Sequence, residues 1–229
     1  MYPKIILHNA ISLDGRIDRL EPDLGLFYEL ASRWNEDATL AGSETILTAP
    51  VDIPDESPDD IVEQPLESGD SRPFLVICDS RGRIKSWHVW RKQPYWKGFI
   101  SLCSHSTPEE HLDYLKERHI PFITTGNIKV DLREALEQLY GRFGVKTVRV
   151  DSGGTLNGLL LRMGLVDEVS LLLHPVLIGG ISPLTFFRAQ DITSPDDIVR
   201  LELSEVQRLK DNLVWLTYSV IKSRKTDEI

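Results

Sequence analysis

The chain has 229 residues, 41% of them hydrophobic, a formal net charge of −9 at pH 7 and two cysteines. That length suits one large α/β domain, residues 1–229, better than two, and the acidic balance excludes the clustered Lys and Arg that nucleic-acid binding needs. Cys78 and Cys103 sit in apolar runs and make neither a disulfide framework nor a zinc pattern, and no segment approaches the roughly 20 apolar residues of a membrane span.

The N-terminus carries no signal-peptide pattern, so the expected location is the cytoplasm. A strand is expected over residues 4–8, leading through His8-Asn9-Ala10-Ile11-Ser12-Leu13 into a turn at Asp14-Gly15. A helix fits 23–35 and a strand 38–41, the latter running into the glycine turn Gly42-Ser43-Glu44-Thr45. Residues 50–73 hold five prolines and eight acidic residues against one cation, Arg72. This is a loop, either a solvated acidic excursion or a flap beside a ligand site.

A buried strand at 74–78 is followed by Asp79-Ser80-Arg81-Gly82-Arg83, and another strand fits 98–102. Helices follow at 108–118 and 132–140, with Thr107 and Asp131 as N-caps, and a short strand at 122–124 lies between them. A strand at 147–150 then enters Asp151-Ser152-Gly153-Gly154-Thr155, and the helix 156–163 places Leu156, Leu159, Leu160 and Met163 at i, i+3, i+4 and i+7. After a strand at 168–174, two alternating strands at 199–207 and 213–221 flank the polar turn 208–212, which is a hairpin. The whole is an α/β fold with a mixed, mostly parallel central sheet flanked by helices and closed by a C-terminal antiparallel hairpin.

The glycine turn at 151–155 carries the strongest local signal. A helix start presents unpaired N–H groups and the positive end of its dipole, and glycine admits an anion close to the backbone. The turn has neither the third glycine of the Rossmann fingerprint nor the lysine of a P-loop, and taken alone it is equally a tight turn without a ligand. Gly42 and Thr45 form a second turn at a strand end, where open α/β sheets bind ligands. Arg81 and Arg83 offer guanidinium forks suited to the 2′-phosphate of NADP, or a plain polar turn. Asn9, Ser12 and Asp14 offer hydrogen-bonding groups for a polar heterocycle. His8 has the right chemistry for proton transfer near pH 7, and a structural role serves as well. Trp87, Trp90 and Trp96 fit an aromatic surface patch for dimerisation or adenine contact, or ordinary packing. The remaining histidines show no ligand spacing, so no metal is expected.

Taken together, Asn9–Arg16 with its Ser-Leu-Asp-Gly core, residues 42–45, residues 79–84 and residues 150–180 resemble the reductase domain of the riboflavin-biosynthesis deaminase/reductase family, whose fold is dihydrofolate-reductase-like. The resemblance implies NADPH-dependent reduction of a ribosylamino-pyrimidine phosphate by a homodimer. It places the cofactor against Ala10, Gly42, Thr45, Ser80, Arg81, Ser152, Gly153, Gly154, Thr155 and Leu156. Asn9, Ser12 and Asp151 would face the substrate, and His8, Asp14 and Asp151 are the candidates for proton chemistry. The chain departs from the family pattern at Asp151-Ser152, where a glutamate and a glycine are usual, and at Thr48-Ala49-Pro50. The alternatives are a dihydrofolate-reducing enzyme, for which Asp14 or Asp151 would supply the acid, and an NADP-binding protein without catalysis.

Overall fold

A computed structural model describes residues 1–63, 65–67, 69–181 and 184–222. In chain order the elements are β1 (Lys4–Ser12), α1 (Leu24–Ala31), β2 (Ala38–Gly42), α2 (Ser43–Leu47), β3 (Phe74–Cys78), α3 (Trp87–Arg91), β4 (Gly98–Cys103), α4 (Glu109–Glu117), β5 (Phe122–Thr124), α5 (Leu132–Phe143), β6 (Thr147–Val150), α6 (Gly154–Arg162), β7 (Glu168–His174), β8 (Arg200–Arg208) and β9 (Val214–Ile221). They divide between two compact units, one of residues 1–3 and 34–152, the other of residues 4–33 and 153–229.

In the first unit five strands run parallel in the order β5-β4-β3-β2-β6. Their sequences are short, nearly continuous apolar runs, as strands covered on both faces require. Leu75, Val76, Ile77, Ile100 and Leu102 are accordingly buried. One side of this core collects Ile46, Ile84, Trp87, Trp90, Phe99, Leu115 and Ile120. Trp87 and Trp90 are therefore packing residues and not a surface patch, with Trp96 edge-on to Trp90 at 6.0 Å. The apolar positions of α3 follow no long helical period, so this five-residue helix is invisible to periodicity and is set by tryptophan burial.

Asp131 caps α5 as expected, accepting from the N–H groups of Arg133 and Glu134, and Gly144 ends that helix at φ +68°. Thr107 does not cap α4. Its hydroxyl accepts from Ser104 N and donates to Ser80 O, and the helix starts one residue later, after Pro108. The acidic loop is anchored: Glu56 takes the Arg118 fork at 2.6–3.0 Å, Asp60 pairs with Lys92 at 2.9 Å, and Pro54 O accepts from His88 Nε2 at 2.8 Å. A freely solvated excursion is thus excluded for its 54–60 portion, because Lys92 and Arg118 stand just beyond α3 and α4 and His88 on α3.

In the second unit β1 pairs parallel with β7, which pairs antiparallel with β9, and β9 with β8. The hairpin turn is built by left-handed Asp211 and Asn212. β1 runs four residues beyond the apolar stretch, because its pairing continues to Ser12 opposite His174. Its polar positions His8, Asn9 and Ser12 are buried and must be hydrogen-bonded.

Candidate functional site

In the first unit β2 lies between β3 and β6, so Gly42, Cys78 and Val150 bring three strand ends to one edge, the place where open α/β sheets bind ligands. Ser152 follows β6 and returns toward α2. Its Oγ accepts from Gly42 N at 3.2 Å and lies 3.4 Å from Thr45 Oγ1. A side chain on Gly42 would put its Cβ 3.0 Å from that Oγ, so glycine is what lets the serine approach. Two hydroxyls and the first turn of α2 therefore converge, an arrangement suited to phosphate oxygens.

The turn after β3 is a rigid platform. Asp79 is buried, its Oδ2 accepting from Ile84 N at 2.8 Å and its carbonyl from Gly82 N at 3.1 Å. Gly82 sits at φ +63° against His111, where a Cβ would lie 2.6 Å from the ring. Ser80 O accepts from Ser104 Oγ and Thr107 Oγ1 at 3.2 and 3.0 Å, and Ser80 Oγ accepts from Val130 N at 3.1 Å. That last bond leaves the Ser80 proton to donate elsewhere. Arg81 is exposed. Arg83 reaches back to α2, its Nη2 donating to Ser43 Oγ at 2.9 Å and Glu44 Oε1 at 2.6 Å.

Asp151 is half-buried and held by a partner that sequence reasoning missed. Arg149 Nη1 donates to Asp151 Oδ2 at 3.2 Å, while its Nε pairs with Glu36 at 2.7 Å. The signal was present: residues two apart on a strand share a face. The nearby Cys78 thiol is pushed up to about 12 by burial, which keeps it protonated and unreactive.

In the second unit His8 is wholly buried and stacks on Phe27 at 4.2 Å. Its Nε2 meets Phe27 O at 3.1 Å and its Nδ1 meets Ser170 Oγ at 2.9 Å. A carbonyl only accepts, so Nε2 carries a proton; Ser170, which accepts from Trp215 Nε1 at 2.8 Å, donates to Nδ1. These bonds give His8 a structural place and occupy both nitrogens. Asn9 Oδ1 accepts from buried Asn157 Nδ2 at 3.0 Å, and that amide also donates to Phe186 O at 2.9 Å. Ala10 is half-buried beside Leu172 on β7.

Ser12 and Asp14 brace a loop. Ser12 Oγ donates to Asp14 Oδ1 at 2.6 Å, and the same carboxylate accepts from Ile178 N and Gly179 N at 3.1 and 2.7 Å. The Ser12 hydroxyl, then these two amides, hold the Asp14 pKa down at about 2. At neutral pH Asp14 is thus a charged acceptor that braces this loop.

The glycines around α6 divide by role. Gly153 is its N-cap and has no side chain to cap with, so an anion can occupy that end; Thr155 is exposed there and Leu156 is buried beneath it. Gly154 and Gly158 instead admit the chain itself. A Cβ on Gly154 would lie 2.1 Å from Thr185 O, and one on Gly158 1.9 Å from Arg188 O. Among the described residues no cluster of three metal-ligating side chains occurs, and no helix is long and apolar enough to cross a membrane.

The chain is 30% identical over 222 residues to the 2,5-diamino-6-ribosylamino-4(3H)-pyrimidinone 5′-phosphate reductase of Methanothermobacter thermautotrophicus, covering 93% of this chain and 97% of the relative. The protein of the same name from Archaeoglobus fulgidus is 28% identical over 190 residues, 79% of this chain and 84% of the relative. Among solved structures, a pyrimidine reductase-like protein from Corynebacterium diphtheriae superposes with a TM-score of 0.73 at 17% identity, over 96% of this chain and 93% of that one. Acinetobacter baumannii RibD superposes at 0.69 with 21% identity, and there 96% of this chain spans only 58% of the other. At these identities the structures establish the fold. The sequence pattern of the RibD C-terminal domain family matches residues 3–215, and the chain belongs to that family.

Proposed function

We propose that the chain is a reductase of the riboflavin-precursor type, taking NADPH and a ribosylamino-pyrimidine phosphate. The observation that carries this reading is the convergence of Gly42 N, Thr45 Oγ1 and Ser152 Oγ at strand ends, in a chain that aligns over 97% of a relative named for that reaction.

The residues present fit a dinucleotide. Ser152, Thr45 and the proton of Ser80 donate to phosphate or ribose oxygens. When bound, the reduced nicotinamide would supply the hydride for reduction of the substrate's ribose. The protein's share is to hold the reacting carbon against the hydride donor and exclude water, which needs no catalytic triad. Asp151, fixed by Arg149, is the acceptor offered to the substrate's hydroxyl and amino groups.

The chain also acts as a homodimer in this reading. Leu201, Leu203 and Val206 of the edge strand β8 are exposed, and they share a face with Val220, Tyr218 and Leu216 of β9 because the bulge after Leu203 restores their register. A second copy is the natural cover for such an apolar strand face.

The test is a turnover assay with purified protein, NADPH and the ribosylamino-pyrimidine phosphate. NADPH absorbance is expected to fall only when substrate is present, with a ribitylamino product by mass spectrometry. Turnover of dihydrofolate alone, or of neither compound, would refute the reading.

A further inference from the structure

Arg149 is a charge in the middle of a buried strand. It stands in β6 between Val148 and Val150 and is 4% exposed. A charge taken out of water is tolerated when it is paired and hydrogen-bonded. Arg149 spreads its fork over three groups: Nε donates to Glu36 Oε1 at 2.7 Å, Nη1 to Asp151 Oδ2 at 3.2 Å and Nη2 to Thr39 Oγ1 at 3.3 Å. Thr39 lies opposite Arg149 in the pairing of β2 with β6, Glu36 just before β2, and Asp151 just beyond β6, so all four residues belong to the first compact unit.

Stability alone does not account for this charge, because well-packed apolar residues in place of a buried ion pair are often neutral or stabilising. The two carboxylates on the fork are unequal. Glu36 takes the shorter bond and its side chain is 12% exposed, whereas Asp151 takes the longer bond and is 32% exposed. Attraction rises as separation falls and as water is excluded, so Glu36 balances most of the guanidinium charge. One cation between two carboxylates leaves one negative charge over. It resides on Asp151, the more exposed of the two, at a strand end where open α/β sheets bind ligands.

We propose that Arg149 and Glu36 are positioning residues for substrate binding at Asp151. Arg149 fixes the direction of the Asp151 carboxylate through Oδ2, and Glu36, by taking up the charge of Arg149, leaves Asp151 its own charge with which to accept from the substrate's hydroxyl and amino groups. Neither residue touches the substrate; both act through Asp151. This rests on the reductase reading above and deepens it by naming what sets the strength of the substrate contact.

Steady-state kinetics of the full chain with NADPH and the ribosylamino-pyrimidine phosphate, beside calorimetric titration with NADPH alone, test it in wild type, Glu36→Gln, Arg149→Met and the double variant. Glu36→Gln is expected to raise KM for the pyrimidine about tenfold, because Arg149 then neutralises Asp151, with kcat and the NADPH dissociation constant within about twofold of wild type. Arg149→Met is expected to raise the same KM about fivefold by releasing the carboxylate. In the double variant Glu36→Gln adds nothing further, since it acts only through Arg149. Thermal melts check folding, and the isosteric Glu36→Gln decides the matter if Arg149→Met does not fold. An unchanged KM in Glu36→Gln, or a loss that falls equally on NADPH binding, overturns the assignment while the reductase reading stands. A wild type that turns over no ribosylamino-pyrimidine phosphate overturns both.

Discussion

Replacing Gly158 by alanine separates two explanations of the glycine-rich start of α6. In an ordinary exposed helix the change would gain about 1 kcal/mol of helix propensity. Here the new Cβ would stand 1.9 Å from Arg188 O and 2.7 Å from Arg188 C, backbone atoms that yield only if the whole 185–189 segment retreats. Retreat breaks the bond from Arg188 N to Gly154 O, 3.0 Å, and that from Asn157 Nδ2 to Phe186 O, 2.9 Å. Each is worth about 1 kcal/mol, and forcing volume into a packed site adds about 2 kcal/mol. The net loss is about 3 kcal/mol, a fall in melting midpoint of about 6–12 °C for a chain of this size. Differential scanning calorimetry of Gly158→Ala beside Gly141→Ala measures it. Gly141 also lies in a helix, α5, but meets nothing within 4 Å, so its substitution should be neutral or stabilising. If Gly158→Ala melts at or above wild type, the seating of the 185–189 backbone on α6 is wrong.

Asp14 has a folded pKa of about 2 against 3.8 for a free side chain. Its contribution is therefore complete above about pH 4 and is lost as pH falls toward 2. Asp14→Asn should melt below wild type at pH 7, with the gap closing between pH 4 and 2; a gap independent of pH would show that the carboxylate charge is not what holds the 176–179 loop. Ser152→Ala should raise the NADPH dissociation constant about fivefold to tenfold by fluorescence titration, and an unchanged constant would remove Ser152 from the cradle. Leu203→Glu should turn a dimer into a monomer by light scattering, and an unchanged mass would place the interface elsewhere.

Elements and their order were legible because their signals are local. The apolar runs of β3, β5, β6 and β7 and the Asp131 cap of α5 each express a short-range rule, burial of a strand or satisfaction of a helix end. The continuation of β1 through Asn9 and Ser12 was not, because it depends on pairing with β7 and, at Asn9, on the Asn157 amide, some 150 residues away. Thr107 obeyed the capping rule in sequence, yet spends its hydroxyl on Ser80.

The candidate site divides in the same way. By itself the sequence determined that a glycine turn follows β6 at the end of a parallel strand, since spacing and residue type suffice for that. Only tertiary structure decided what each of its residues is for. Gly153 leaves a helix end open to an anion, while Gly154 and Gly158 make room for the 185–189 backbone. Tertiary structure also fastened Asp14 to a loop, enclosed His8 between Phe27 and Ser170, and bonded Arg83 to Glu44. The physical reason is that a side chain's chemistry is set by the donors, acceptors and water around it, and those neighbours come from segments far apart in the chain.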